Sequence, residues 1–281
     1  MSFGARSATA PLRRVLVRPP TGTTGWREYG WRVEPDLDAM AREHDAYREA
    51  LAAAGAEVVL SETPVEGDPD AIYACDPALV TDRGAILLRP GKEGRREEPK
   101  AIGSDLEAAG VPVVGRLEAP ATAEGGDLLW LDETTLVAGR SYRTNDAGIA
   151  ALRDLLPDAE VVAVDLPHHR GASEILHLLS LISPLDADLV VAFPPLLPVR
   201  LMEMLADRGI EVVGVPEEEL ASQGPNVLAL APRVALALEG SPETRRRMEA
   251  AGVDVRVYVG EDLSRKGDGG PTCLSQAILR G

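Results

Sequence analysis

The stretch that decides the fold is Leu128-Leu-Trp-Leu-Asp-Glu-Thr-Thr-Leu-Val137, which is followed by a helix-like segment and then by Pro157-Asp-Ala-Glu-Val-Val-Ala-Val164. The first of these places turn-type residues between two apolar runs, which is typical of a β-hairpin. The second stretch directly follows the helix-like segment and is rich in β-branched residues, which is typical of a buried strand. The stretch therefore predicts a unit of hairpin, helix and strand.

The same unit recurs along the chain. Helix-like stretches end in a glycine or in Pro-Asp and run into a valine-rich strand, and glycine just past a helix is a common stop. These junctions are Ala54–Leu60, Ala109–Val114, Pro157–Val164, Arg208–Val213 and Ala251–Val257. Apolar hairpins precede the last four of the five helices, at Ala78–Leu88, Leu128–Val137, Leu181–Phe193 and Val227–Leu238. A repeat of about 50 residues predicts a repeat architecture.

The first unit has only Arg14-Val-Leu-Val-Arg18 where its hairpin should lie. A strand after Cys273 would supply the missing partner and close a ring of five units. We therefore predict an α/β fold, a five-bladed α/β propeller in a single domain over residues 1–281, with residues 1–12 as a flexible tail. A doubly wound α/β sheet is the alternative, but we rank it second because hairpins precede the helices. In a propeller, the loop Pro19–Trp31 would lie as a flap over the channel mouth.

Composition limits the classes of partner. Of 281 residues, 45% are hydrophobic, which is enough for a substantial core. A net charge of −16 and a pI near 4.7 argue against nucleic acid and anionic membranes, since both need a basic face. The apolar runs are too short to span a bilayer and no signal-peptide pattern is present, so we expect a cytoplasmic protein. Two cysteines and four histidines without CxxC or HxxxH spacing predict neither a disulfide framework nor a metal site.

Glycines and a proline surround one thiol in the closing segment Lys266-Gly-Asp-Gly-Gly-Pro-Thr-Cys273-Leu-Ser. Glycine lets the backbone lie close to a ligand, and proline stiffens the approach. Cys273 is therefore a candidate nucleophile, although a lone cysteine is as often a small buried hydrophobe. A nucleophilic thiol needs a nearby base or cation to lower its pKa.

Groups that could serve Cys273 stand at the boundaries of other units. Glu124-Gly-Gly-Asp127 places two carboxylates just before a strand, and Asp76 follows Tyr73-Ala-Cys75. His177 lies in the apolar run Ile175–Ser180, which predicts a strand, where a lone histidine is more often a core residue. Asp127 fits a turn-capping carboxylate as well as a ligand contact. Asn226, which opens the last hairpin, is a further candidate contact for a substrate.

Six segments resemble the superfamily of guanidino-group-modifying enzymes, which includes dimethylarginine dimethylaminohydrolases and arginine deiminases. They span most of the chain, in the order found in that superfamily. The segments are Pro69–Asp76, Arg89-Pro-Gly91 with Arg95-Arg96-Glu97, Glu124–Asp127, Arg143–Asn145, Leu176-His-Leu178 with Ser180, and Gly269–Ser275. The superfamily's fold is a five-bladed α/β propeller, which agrees with the repeats.

The resemblance implies a role for each matching residue. Cys273 would attack the guanidinium carbon and form a thiouronium intermediate, while His177 would protonate the leaving amine and then activate water. Glu124 would orient His177 and face the cationic guanidinium, which needs carboxylates around it when it is buried. The substrate-binding residues would be Asp76 and Asp70 on the guanidinium, Arg95 and Arg143 on an α-carboxylate, and Asp127 and Ser180. The resemblance implies no metal and no organic cofactor.

Two positions depart from the superfamily pattern and bear on the substrate. Cys75 stands where methylarginine hydrolases typically carry an acid, and Leu179 where they tend to carry lysine and arginine deiminases usually carry aspartate. We expect a hydrolase of a guanidino compound, most simply one that converts N-omega-methylated arginine to citrulline and an alkylamine. An arginine deiminase, another guanidino or ureido hydrolase, and a non-catalytic binding propeller are the alternatives. The sequence leaves the exact substrate and a homodimer open.

Overall fold

The computed structural model describes residues 2–172 and 176–281 and arranges them as five three-stranded sheets. In each sheet an antiparallel strand pair is extended by a third strand that runs parallel to the central one. The strands are β1 (Leu12–Val17), β2 (Glu57–Leu60), β3 (Ala78–Thr81), β4 (Gly84–Leu87), β5 (Val113–Arg116), β6 (Leu128–Asp132), β7 (Thr135–Arg140), β8 (Glu160–Asp165), β9 (Ile182–Asp186), β10 (Leu189–Ala192), β11 (Glu211–Gly214), β12 (Val227–Ala231), β13 (Val234–Leu238), β14 (Asp254–Tyr258) and β15 (Gln276–Arg280).

One helix connects the central strand of each sheet to its parallel neighbour. The helices are α1 (Leu37–Ala53), α2 (Glu98–Ala108), α3 (Asp146–Leu155), α4 (Val199–Asp207) and α5 (Pro242–Ala250). Among the described residues, no helix combines the length and apolar character that a membrane span requires.

The five sheets fit a pseudo-fivefold propeller-like arrangement, which confirms the predicted α/β fold class. Each of the four predicted hairpins is present, as β3–β4, β6–β7, β9–β10 and β12–β13. The first sheet is completed as predicted, because β15 pairs antiparallel with β1 and brings Gln276 opposite Leu16. The two ends of the chain therefore meet in one sheet.

Local chemistry determines where the helices begin and end. The Asp36 side chain caps α1 by accepting a hydrogen bond from the Ala39 N–H at 2.8 Å. Gly55 follows this helix with a φ of +93°, a conformation that other residues adopt only with strain. The chain can therefore leave α1 and turn directly into β2.

The apolar core lies mainly between neighbouring sheets. One cluster joins Leu16 and Ile278 of the first sheet to Val80 of the second and to Leu106 of α2. Equivalent clusters join the second sheet to the third, the third to the fourth, the fourth to the fifth, and the fifth back to the first. Because each sheet shares its apolar surface with the next, the loops that connect the sheets are held in fixed relative positions.

The structure differs from two local predictions. In the predicted flexible tail, the Gly4 N–H donates to the Ile278 carbonyl at 2.8 Å and the Gly4 carbonyl accepts from the Arg280 N–H at 2.9 Å. This contact satisfies the outer backbone edge of β15, so the segment is docked on the first sheet. His177 was predicted in a strand, but it directly precedes the short 3₁₀ helix Leu178–Ser180; Ile175 of that predicted strand lies outside the described residues.

Replacement of a core residue in the closing strand tests the joining of the chain ends. Ile278→Ala should lower the free energy of unfolding by about 2–5 kcal/mol, because it removes a fully buried side chain between the first two sheets. Val199→Ala is the matched control, since Val199 is 74% exposed and should change stability by less than about 0.5 kcal/mol. Urea unfolding of both variants measures the difference. Equal stabilities would contradict a structural role for β15.

Candidate active site

A cavity of about 750 Å³ opens among the loops of all five sheets. Each sheet contributes lining residues through its loops, among them Tyr29, Asp76, Arg143, Phe193 and Asn226. Tyr29 and Gly30 belong to the predicted flap, which therefore lies at this cavity. Of the predicted site residues, the ones that line the cavity are Cys273, His177, Asp76, Asp70, Arg95, Arg143 and Ser180.

The loop that presents Cys273 is held from two sides. The Thr272 N–H donates to Asn226 Oδ1 at 3.1 Å, and the Tyr47 hydroxyl donates to the Pro271 carbonyl at 2.8 Å. The glycines before it are needed for close packing, because a Cβ at Gly270 would lie 2.6 Å from the Asn226 side chain. The Asn226 amide also donates to the Cys273 Sγ at 3.3 Å. Asn226 therefore positions both the loop and the sulfur.

His177 is paired with a fully buried carboxylate. Its Nε2 lies 2.9 Å from Oε2 of Glu124, which is 0% exposed. Burial lowers the pKa of His177, but the charges of Asp127, Glu124 and Asp76 outweigh it and raise the pKa to about 9. His177 is therefore an imidazolium at neutral pH, and its Nε2–H donates to Glu124. A Cβ at Gly126 would lie 2.7 Å from His177 Nδ1, so only glycine lets the backbone pack this closely against the ring.

Glu124 is the centre of a hydrogen-bonded network beneath the cavity. Its Oε1 accepts from Arg143 Nη1 at 2.6 Å and from the Gly91 N–H at 2.9 Å. Burial alone would raise the pKa of Glu124, but the hydrogen bond from His177 and the charges of His177, Arg95 and Arg143 lower it below its ordinary value. Both oxygens are thus committed to protein partners. The predicted contact with His177 is present, and Glu124 lies below the cavity wall.

Asp127 was predicted to contact the substrate, but the structure places it away from the cavity. It is fully buried and outside the cavity lining. Its Oδ2 accepts from the Ser141 hydroxyl at 2.6 Å and its Oδ1 from the Leu178 N–H at 3.1 Å. Its carboxylate therefore holds the backbone next to His177, because the turn at Gly125–Asp127 directs it under the site.

Asp76 faces the cavity with one carboxylate oxygen held on each side. Oδ1 accepts from the Gly126 N–H and Oδ2 from Arg95 Nη1, each at 2.8 Å. Arg95 also binds Glu98, through Nε at 2.5 Å and Nη2 at 2.9 Å. Burial lowers the pKa of Arg95, but the charges of Glu98, Asp76 and Glu124 raise it well above its ordinary value. Arg95 is thus fixed between carboxylates.

Asp70 connects the cavity to the flap. Its Oδ1 accepts from the Trp31 indole N–H at 2.8 Å and its Oδ2 from Lys92 Nζ at 2.5 Å. Lys92 Nζ also donates to the Tyr29 carbonyl at 2.6 Å and lies 4.4 Å from the centre of the Tyr29 ring. These contacts tie the flap to the cavity wall.

Three ligand-type side chains cluster in the site. Donor atoms of Asp76, Glu124 and His177 all lie within 4.8 Å of one another. A metal ion there would have to displace Arg95 from Asp76, and Arg143 and the His177 imidazolium from Glu124. The positive charges of these side chains already balance the carboxylates. The cluster therefore fits a hydrogen-bonded ion network better than a metal centre.

Sequence reasoning missed several contributors to the site. Glu98, the main partner of Arg95, lies only three residues after it, on the first turn of α2. That spacing is the signal that could have identified the pair. Lys92 directly follows the quoted Arg89-Pro-Gly91, and it is one of three lysines in the chain. The contact between Trp31 and Asp70 joins segments far apart in sequence and leaves no local signal.

Comparisons with known proteins agree with this geometry. The family model described as N,N dimethylarginine dimethylhydrolase, eukaryotic, matches residues 33–274. The N(G),N(G)-dimethylarginine dimethylaminohydrolase of Streptomyces coelicolor is 33% identical over 270 residues, which cover 94% of this chain and 96% of that protein. An arginine deiminase of Mycobacterium marinum is 33% identical over 194 residues, which cover 57% of this chain and 47% of that protein.

A solved structure of the same family has a similar fold. DDAH from Pseudomonas aeruginosa, in a cysteine-to-serine mutant complexed with citrulline, matches with a TM-score of 0.78 at 27% identity. The match covers 96% of this chain and 100% of that one. The family model and the Streptomyces relative both span most of the chain, whereas the deiminase match spans little more than half. The protein belongs to the dimethylarginine dimethylaminohydrolase family.

Proposed function

We propose that the protein hydrolyses the guanidino group of an N-omega-methylated arginine to citrulline and an alkylamine. The observation that carries this proposal is that Cys273, Asp76 and the His177 imidazolium line one cavity. A planar cation in this cavity would meet the carboxylate of Asp76, with a sulfur nucleophile and a proton donor in the same wall. Family membership supports the same reaction class, cleavage of a C–N bond in a linear amidine.

The residues support a two-step reaction. The Cys273 sulfur attacks the guanidinium carbon, and the Nδ1–H of the His177 imidazolium supplies the proton with which the amine leaves, as the C–N bond breaks. The remaining thiouronium is attacked by water, whose proton passes to the now neutral His177. The C–S bond then breaks and returns the thiolate, the imidazolium and a ureido product, and the second proton of the water is released and taken up by the departed amine as an alkylammonium ion. The net reaction consumes one water and needs no oxidant, reductant or cofactor.

The arginines have different surroundings, which suggests different tasks. Arg95 is 2% exposed and its guanidinium is engaged by Glu98 and Asp76, so we propose that it balances the charge beneath the substrate. Arg143 is 8% exposed, lines the cavity and pairs with Glu124 through Nη1. We propose Arg143 as the principal partner of the substrate's α-carboxylate, because guanidinium binds carboxylate in a fork geometry.

Part of the cavity lining is apolar. Phe193, Leu196, Val215 and Leu220 all line the cavity, and they suit the alkyl part of an arginine side chain. Leu179, one of the two departures from the superfamily pattern, is buried outside the cavity lining. Leu179 itself is therefore not part of the surface that would meet the substrate.

Product analysis tests the proposed function. Purified protein is incubated with asymmetric dimethylarginine, monomethylarginine, arginine and agmatine, and ureido products, alkylamines and ammonia are quantified together. We expect citrulline with dimethylamine from asymmetric dimethylarginine. Cys273→Ser should lower turnover at least about a thousandfold, since it removes the nucleophile. Ammonia from arginine in place of alkylamine would move the function to a deiminase.

The pH dependence of turnover tests the role of His177. Its raised pKa keeps the imidazolium below pH about 9, so kcat should fall as pH rises through that value. Glu124→Gln removes one of the charges that raise this pKa, so the alkaline fall should move toward lower pH. NMR titration of the imidazole in both proteins measures the same shift without substrate. An unchanged His177 titration in Glu124→Gln would contradict the assigned electrostatics.

A further inference from the structure

A second cavity, of about 130 Å³, lies where the five sheets meet, and we call it the axial cavity. One edge strand of every sheet lines it, namely β3, β6, β9, β12 and β15. The docked N-terminal segment also lines it, through Ala5, Ser7 and Ala8. None of the described residues lines both this cavity and the candidate active site. The axial cavity is therefore a site distinct from the one that contains Cys273.

The charge of the axial cavity is not balanced by the protein. Arg280 is the only charged side chain among the described residues that line it, and they include no carboxylate. Its Nη1 donates to the carbonyls of Ala10 and Ala229, each at 2.9 Å, and both of these acceptors are neutral. Burial lowers the pKa of Arg280 to about 10, so the guanidinium keeps its charge at neutral pH. A desolvated charge without a counter-ion is costly, which favours the binding of an anion.

Two other arginines show the usual arrangement. Arg95 binds carboxylates in the candidate active site, and Arg6, in the docked N-terminal segment, pairs with Asp82 at 2.7 Å and Asp158 at 2.6 Å. Arg280 has no such partner among the described residues, although the net charge of the protein is −16. We therefore expect its counter-ion to come from solution.

Two neutral side chains indicate which kind of anion fits. Trp130 and Gln276 both line the axial cavity and are each only 6% exposed. Trp130 Nε1 and Gln276 Oε1 are buried and have no hydrogen-bond partner among the described residues. The indole N–H donates, as the Arg280 guanidinium does, whereas the amide oxygen accepts. A ligand that satisfies all three groups therefore needs acceptor oxygens and one hydrogen-bond donor.

We propose that the axial cavity binds a small oxyanion that carries a hydroxyl group, of the class of bicarbonate and hydrogen phosphate. Its anionic oxygens accept from the Arg280 guanidinium and the Trp130 indole, and its hydroxyl donates to Gln276 Oε1. Water satisfies the two neutral side chains but leaves the charge of Arg280 uncompensated. Because the three groups belong to β6 and β15, the anion joins the third sheet to the first and stabilises the folded state.

Calorimetric titration of the purified protein tests this inference with two matched pairs of anions, at mildly alkaline pH and constant ionic strength. Bicarbonate and nitrate are planar monoanions, and hydrogen phosphate and sulfate are tetrahedral anions of similar charge. Only the first anion of each pair carries a hydroxyl. We expect it to bind at least about tenfold more tightly than its partner, because its partner leaves the buried Gln276 oxygen unsatisfied. The pair that shows the difference identifies the shape of the ligand.

Three variants locate the bound anion. Arg280→Gln should weaken binding of the preferred anion at least about tenfold, since it removes the charge. Gln276→Leu should abolish the preference for the hydroxyl-bearing anion while its matched partner still binds as before. Arg143→Gln is the matched control, because it removes an arginine from the candidate active site, and it should bind the anion as wild type does. Thermal unfolding of each variant confirms that the fold is retained.

Each outcome bears on the axial cavity alone. If wild type binds none of the four anions, or binds both members of each pair equally, the inference is wrong. It is also wrong if Arg143→Gln loses the affinity and Arg280→Gln keeps it, because the anion then lies in the candidate active site. Should Arg280→Gln fail to fold, the anion preference of Gln276→Leu decides the question. No readout uses turnover, so the result is independent of whether methylarginine is hydrolysed.

Discussion

The hydrogen bond between His177 and Glu124 is the interaction on which the rest of the site depends. A fully buried carboxylate is costly unless charged partners surround it, and Glu124 has His177, Arg143 and, at 3.8 Å, Arg95. These partners come from loops of the second, third and fourth sheets, so the charge balance is complete only when these three sheets have packed together. The network keeps His177 protonated and fixes its ring orientation. The propeller therefore serves to hold one ion network beneath one cavity.

Two tiers of residues follow from this arrangement. The lower tier consists of Glu124, Asp127 and Glu98, which are buried and contact protein partners. It determines the charge and the orientation of the residues above it. The upper tier lines the cavity and includes Cys273, His177, Asp76 and Arg143, which are the groups that would meet a substrate. Arg95 bridges the tiers, because it binds Glu98 below and Asp76 at the cavity wall. The buried tier keeps the upper tier in reactive protonation states.

The fold was predictable because each sheet carries its own local signals. Hairpin turns and helix-ending residues recur once per unit, and the missing hairpin of the first unit pointed to closure by β15. The His177 segment was wrongly predicted as a strand, because Leu178 and Leu179 turn their apolar side chains into the core from a single 3₁₀ turn. The docking of Gly4 likewise depends on the exposed edge of β15, a tertiary feature that no local pattern encodes.

The site was only partly predictable, for a related reason. Motif resemblance located Cys273, His177 and Asp76, and the structure brings them to one cavity. It could not separate Glu124 and Asp127 from the cavity-lining residues, since two carboxylates that flank Gly-Gly look alike in sequence. The backbone hydrogen bond from the Cys75 N–H to the Cys273 carbonyl joins two loops about 200 residues apart, a separation across which pattern reading has no signal.

The most direct test of this account is the mass of the protein during turnover. Acid quenching within the first turnovers with asymmetric dimethylarginine, followed by intact-mass and peptide analysis, would detect a covalent intermediate. The account predicts a mass increase equal to substrate minus dimethylamine, located on Cys273 in the peptide Gly267–Arg280. Turnover by Cys273→Ser at the wild-type rate and without an adduct would contradict it. An adduct located on Cys75 in the wild-type protein would also contradict it.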